Sequence, residues 1–214
     1  MNTVIADFLR RPESATRRLA DAIRVLAAGS VIVAGLGWGW IQVAVFLLAV
    51  LATLLPRALS LPGWLDLATG TAALLAAWSN VWDLYTTVPG WDTFIHAYLG
   101  GSVALLAVSI AQRAGAVPSP VPRATHRGTP LALVVLAVAF GLATGALWEM
   151  LEWFGHTVID PGVHVGYDDT IGDLAAGGFG SLLLGMARFG APARGRPLEG
   201  SPPRADRGRE APWT

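Results

Sequence analysis

Long apolar runs alternate with short polar ones along this chain, and that pattern predicts helices that cross a bilayer. Residues 25–55 are almost wholly apolar. As one helix they would be about 46 Å long at 1.5 Å per residue, against a hydrocarbon core of about 30 Å. Gly35, Gly37 and Gly39 lie mid-run, interleaved with Trp38 and Trp40. Glycine weakens a helix and tryptophan favours the headgroup level. The run therefore reads as two helices, over 23–37 and 41–55, with one long tilted helix as the rival reading. Pro56 and Arg57 close the second. Further apolar segments follow over 61–82, 91–112, 131–154 and 170–189, with turns at Pro89-Gly90 and Pro161-Gly162.

The expected fold class is all-α, a polytopic membrane helical bundle of about six transmembrane helices over residues 23–189. A basic segment (1–22) precedes it. A tail (190–214) follows, whose Pro, Gly, Arg and Glu content predicts disorder. No internal repeat is visible.

Charge orients this bundle. All fifteen basic residues are arginine. With six helices, the N-terminal arginines, Arg57, the loop carrying Arg113, Arg123 and Arg127, and the tail from Arg188 all fall on one side. The positive-inside rule makes that side cytoplasmic, with both termini inside. With five helices the N-terminal arginines and Arg57 would face opposite sides. Only 14% of residues are charged, against about 25% in a soluble domain. The partner implied is the lipid bilayer. Zero net charge gives no argument for nucleic acid. The absence of cysteine excludes disulfides, thiolate metal sites and cysteine catalysis.

The same topology collects acids on the other side. Between 149 and 173 there are six carboxylates and no basic residue, although ionisable groups at the end of a membrane helix are costly. Asp92 and His96 are four apart and share a helix face. Glu149 and Glu152 are three apart. His156 lies four beyond Glu152, unless Gly155 ends the helix first. Asp169 and Asp173 are again four apart. Three helices thus each present oxygen or nitrogen ligands toward one point. Asp83, Tyr85 and Asp168 complete the polar set, and Trp38, Trp40, Trp82, Trp91, Trp148 and Trp153 mark the same level. Small residues from Gly172 to Ser181 let membrane helices approach closely.

The plainer alternative for Asp92, Asp168 and Asp169 is a helix cap or a partner for the helix dipole. Asp160 falls in a turn, and His164 reads as a solvated loop residue. Glu149, Glu152 and Asp173 lie deeper in their segments, where an unpaired carboxylate needs a proton or a cation. A divalent metal held by Asp92, His96, Glu149, Asp169 and Asp173 suits this oxygen-rich set. Glu152 or His156 would then be the catalytic base, in a hydrolase acting on a lipid or lipid-linked substrate. A proton-coupled transporter, or an envelope protein whose polar cluster is structural, remain as alternatives.

A resemblance adds to this reading. The run Tyr85-Thr86-Thr87-Val88-Pro89-Gly90-Trp91-Asp92-Thr93-Phe94-Ile95-His96 resembles a segment of YjdF-like bacterial inner-membrane proteins. So do Trp148-Glu149-Met150-Leu151-Glu152-Trp153 and Tyr167-Asp168-Asp169-Thr170-Ile171-Gly172-Asp173-Leu174, in similar order and spacing over residues 40–190. Teicoplanin-resistance proteins of the VanZ type are more distantly similar; where they often carry Asn four residues after the last Asp, this chain has Gly177. The resemblance implies a multi-pass protein of the bacterial cytoplasmic membrane and supplies no reaction.

Overall fold

A computed structural model describes residues 8–117, 128–159, 161–163 and 165–190. Among these, seven α-helices and no strands are found. They are α1 (Ala15–Gly37), α2 (Trp40–Ala58), α3 (Gly63–Val81), the short α4 (Leu84–Thr87), α5 (Trp91–Arg113), α6 (Gly128–Phe154) and α7 (Tyr167–Gly185). A π-helical turn extends α6 (Gly155–Ile159), and another extends α7 (Met186–Gly190). Asp160, His164, the loop arginines Arg123 and Arg127, and the tail from residue 191 lie outside the described residues.

The apolar run over 25–55 does divide. α1 stops at Gly37, and Gly39 turns the chain with φ +86°, a conformation that favours glycine. The bounds differ from expectation in two places. α1 begins at Ala15 rather than 23, because the Ser14 side chain accepts from the Arg17 N–H and so caps one of the open donors at the helix start. α2 passes through Pro56 to Ala58, two residues beyond the proline.

Among the described residues, five helical spans are long and apolar enough to cross a membrane: Ala15–Gly37, Trp40–Ala58, Trp91–Arg113, Pro130–Ile159 and Tyr167–Gly190. α3, with 19 residues, is not among them; its Asp66, Thr69 and Ser79 dilute the pattern. Those residues are buried within the bundle. The outer surface is apolar instead, with exposed Leu26, Ile32, Leu36, Leu47, Leu51 and Val135.

Side-chain contacts show that successive helices run up and down. Trp38, just past the end of α1, meets Trp78 near the end of α3, with ring centroids 6.1 Å apart. Trp78 also stacks on Trp82 at 4.8 Å. At the other end, Arg113 of α5 bonds the Leu59 carbonyl, and Arg17 of α1 bonds the Leu61 carbonyl at 3.3 Å. An apolar cluster that includes Leu65, Leu105, Val108 and Phe189 fills this arginine end. A second one, around Phe46, Ala73 and Ala77, fills the other.

Candidate functional site

The acidic end is built by α5, α6 and α7. Gly90, at φ +76°, starts α5 and puts Asp92 in its first turn, with His96 one turn deeper. α7 starts after Gly166, with Asp168 and Asp169 in its first turn and Asp173 one turn deeper. The N-cap residues themselves, Gly90 and Gly166, supply no capping side chain. Asp92 faces His96.

His96 is the hub. Its Nε2 lies 3.3 Å from Asp92 Oδ1 and 3.8 Å from Asp173 Oδ2. One ligand atom from each of these three residues lies within 4.8 Å of the other two. Asp173 is buried, and Asp92 and His96 are half-buried. The i, i+4 pair read from the sequence is therefore realised on α5 and joined by the deeper member of the α7 pair.

α6 supplies the flank. Glu152 accepts a hydrogen bond from Trp148 Nε1 at 2.8 Å. It lies within electrostatic reach of Glu149, His96 and Asp92. Glu149 and Asp169 lie within reach of Asp173. Glu149 Oε1 is buried with no hydrogen-bond partner. A buried carboxylate oxygen without a partner is costly, so this atom calls for a cation, a proton or water.

Tyr85 stands beside the cluster on α4, and its hydroxyl donates to the Ala76 carbonyl at 3.0 Å. Burial, and behind it the Asp92 and Glu152 carboxylates, push this hydroxyl well above its usual range. It stays protonated and serves as a donor.

Three expected members sit apart. His156 falls in the π-helical turn, which breaks the i, i+4 phase with Glu152. Its Nδ1 lies 2.7 Å from the Val163 carbonyl oxygen, so the ring is tied to the 161–163 loop. Asp83 is exposed, in left-handed backbone at φ +54°, and its carbonyl accepts from the Thr87 hydroxyl at 2.7 Å. Asp168 is exposed at the head of α7.

Glycine contacts explain how α5 and α7 come so close. A Cβ on Gly180 would lie 1.8 Å from the Ala97 carbonyl oxygen, and one on Gly100 would lie 3.0 Å from Gly177 Cα. Gly177 is thus a helix-contact residue here. α6 joins in the same way, since a Cβ on Gly141 would lie 1.9 Å from Ser181 Oγ.

One ionic pair escaped the sequence reading. Arg24 of α1 bonds both Asp21 and Asp66, and Asp66 on α3 is fully buried. The signal was available: Asp66 is the one carboxylate inside an otherwise apolar segment, and such a residue implies a partner.

Long apolar helices packed around a largely apolar core define a multi-helix membrane protein, with Asp92, His96 and Asp173 gathered at one end. The chain belongs to the family described as "Predicted membrane protein (DUF2238)", whose model matches residues 18–193. No curated protein and no solved structure matches the chain.

Proposed function

We propose that Asp92, His96 and Asp173 hold a divalent cation, with Glu149 as a further oxygen donor, and that the site is the centre of a membrane hydrolase acting on a lipid or lipid-linked substrate. The observation that carries this reading is the meeting of one imidazole and two carboxylates from two helices, beside a buried carboxylate oxygen that has no partner. The described arginines are gathered at the opposite end, so no guanidinium balances these acids. Two or three carboxylates with one histidine suit Mn²⁺, Zn²⁺ or Mg²⁺. A bound ion of this kind would supply an acidified water as nucleophile. Glu152, bonded to Trp148 Nε1, would serve as the base that takes its proton. Asp169 adds negative charge at the mouth, and Tyr85, whose hydroxyl donates to the Ala76 carbonyl, closes one wall.

The position of His96 between two carboxylates favours a second reading, a proton relay of the kind found in coupled carriers. Elemental analysis of the detergent-purified full chain separates the two. We expect about one ion per chain, lost in an Asp92→Asn/Asp173→Asn variant that still folds. Metal absent from the parent, after purification without chelator and with divalent ions added, rejects the metal site and leaves proton coupling to be measured in liposomes.

The proposal includes a six-span topology with both termini on the arginine side. α3 would be the sixth span: its Asp66, Thr69 and Ser79 are buried in the bundle and its exposed Asn80 lies at the helix end, so its modest hydropathy does not bar it from the bilayer. The likeness to YjdF-like proteins supports the bacterial inner membrane as the location.

A further inference from the structure

The end of the bundle opposite the acidic site holds a cleft of about 420 Å³, lined by Arg17, Ser60, Ser109, Arg113 and Arg188 among others, and by no carboxylate. Its arginines come from α1, α5 and the turn after α7. Two of them are aimed by backbone carbonyls of the loop between α2 and α3: Arg17 by Leu61 and Arg113 by Leu59. The same loop turns at Ser60, which has φ +45° and whose hydroxyl accepts from Arg10 at 2.7 Å. Arg188 packs over the Phe189 ring at 5.3 Å.

The balance of charge there is one-sided. The part-exposed Asp21 and the buried Asp66 of this end are bonded to Arg24. None of Arg17, Arg113 and Arg188 has a carboxylate partner among the described residues. A guanidinium has five donors, and a single carbonyl leaves most of them unused. Three like charges drawn around one cleft repel each other unless an anion lies between them. Planar donor forks of this kind match phosphate oxygens.

A second cleft of about 390 Å³ shares Pro62 and Arg188 with the first and adds Trp64 and Ala187. Trp64 is part-exposed at the very start of α3, where tryptophan favours the boundary between headgroups and hydrocarbon. The polar cleft therefore continues into a less polar one at the membrane surface.

We infer that this arginine cleft binds a phosphate-bearing anion, and that the source is the phosphodiester headgroup of an acidic phospholipid. Basic pockets between transmembrane helices take such headgroups. The adjoining Trp64 cleft gives the glycerol part of a lipid a place to lie, which inorganic phosphate would not use. The inference is independent of the acidic site and of any reaction there.

The test is thermal unfolding of the detergent-purified full chain, titrated with phosphatidylglycerol, phosphatidylcholine or inorganic phosphate. Phosphatidylglycerol should raise the midpoint in a saturable way and phosphatidylcholine should not. The apparent affinity should fall roughly tenfold or more in Arg113→Gln/Arg188→Gln, because each basic residue contributes separately to holding an anionic lipid. Arg18→Gln, which removes an exposed arginine outside the cleft, should leave it unchanged. Arg188→Gln alone, at an exposed position, repeats the test should the double variant fold poorly. An equal shift with inorganic phosphate, lost in the same variants, keeps the anion site and assigns it a soluble ligand. No shift with either ligand, or the same shift in the cleft variants as in the parent, overturns the inference.

Discussion

Gly180→Leu will force α5 and α7 apart and dismantle the acidic site without touching any of its ligands. A Cβ at this position would lie 1.8 Å from the Ala97 carbonyl oxygen and 2.6 Å from its carbon. Both are backbone atoms, so no side chain can swing aside and the helices themselves must move. Ala97 is adjacent to His96, and Asp173 lies two turns before Gly180 on α7, so the movement acts on the pair 3.8 Å apart. The expected cost is about 3 kcal/mol or more, the upper part of the range for overpacking. Gly180→Ala should already show much of it. Gly172→Ala is the matched control: it lies next to Asp173, yet a Cβ there meets nothing within 4 Å. That change should be neutral or slightly stabilising, as alanine is the better helix former. Unfolding midpoints of the three variants in detergent check this. A Gly180→Leu protein as stable as the parent would show that the two helices are not locked by this contact.

The small residues of α7 were visible in the sequence as a license for close packing, and so was the alignment of Asp92 with His96. Both follow from helical periodicity, which depends only on residue spacing. The apolar runs gave the helices for the same reason, with Gly39 dividing the first run. Spacing does not encode where the backbone departs from a regular α-helix. His156 sits four residues after Glu152, but a π-helical turn intervenes and ties its ring to Val163. Asp83 looked like a member of the cluster, yet its backbone shapes the turn after α3 while its side chain stays exposed. The arginine cleft is a further case. Its residues come from Arg17, Ser60, Arg113 and Arg188, far apart in the chain, and only the tertiary packing of four elements joins them.

The two ends of the bundle solve the burial of charge differently. At the acidic end His96 is the basic neighbour of the carboxylates, and one Glu149 oxygen has no hydrogen-bond partner among the described residues. At the other end Arg24 is shared between Asp21 and Asp66, and its Nε also donates to the Thr53 carbonyl at 2.9 Å. This single side chain links α1 to α2 and to α3. Each end keeps buried polar atoms without a hydrogen-bond partner among the described residues, Glu149 Oε1 at the first and Asp66 Oδ2 and Arg57 Nη1 at the second. At the second, the Arg24 pair ties three helices together, and the cleft arginines lie beside it.

Arg24→Met should therefore be among the most damaging substitutions outside the acidic site. Asp66 is only 2% exposed, and its Oδ2 has no partner even with the arginine present. Removing Arg24 leaves the other oxygen unpaired as well, a buried charge without compensation. Breaking a buried pair in this way costs about 3–5 kcal/mol. Asp66→Asn in the same background should recover part of the loss, since it removes the charge while keeping the shape. The double change Arg24→Met/Asp66→Leu should recover more, because a buried ion pair replaced by apolar groups of similar volume is often neutral or stabilising. The order expected in unfolding experiments is the parent and the apolar double variant together at the top, the Arg24→Met/Asp66→Asn variant next, and Arg24→Met alone at the bottom. If Arg24→Met alone matched the parent, Asp66 would have to be neutral in the folded protein, and the link between α1 and α3 would rest on their apolar contacts.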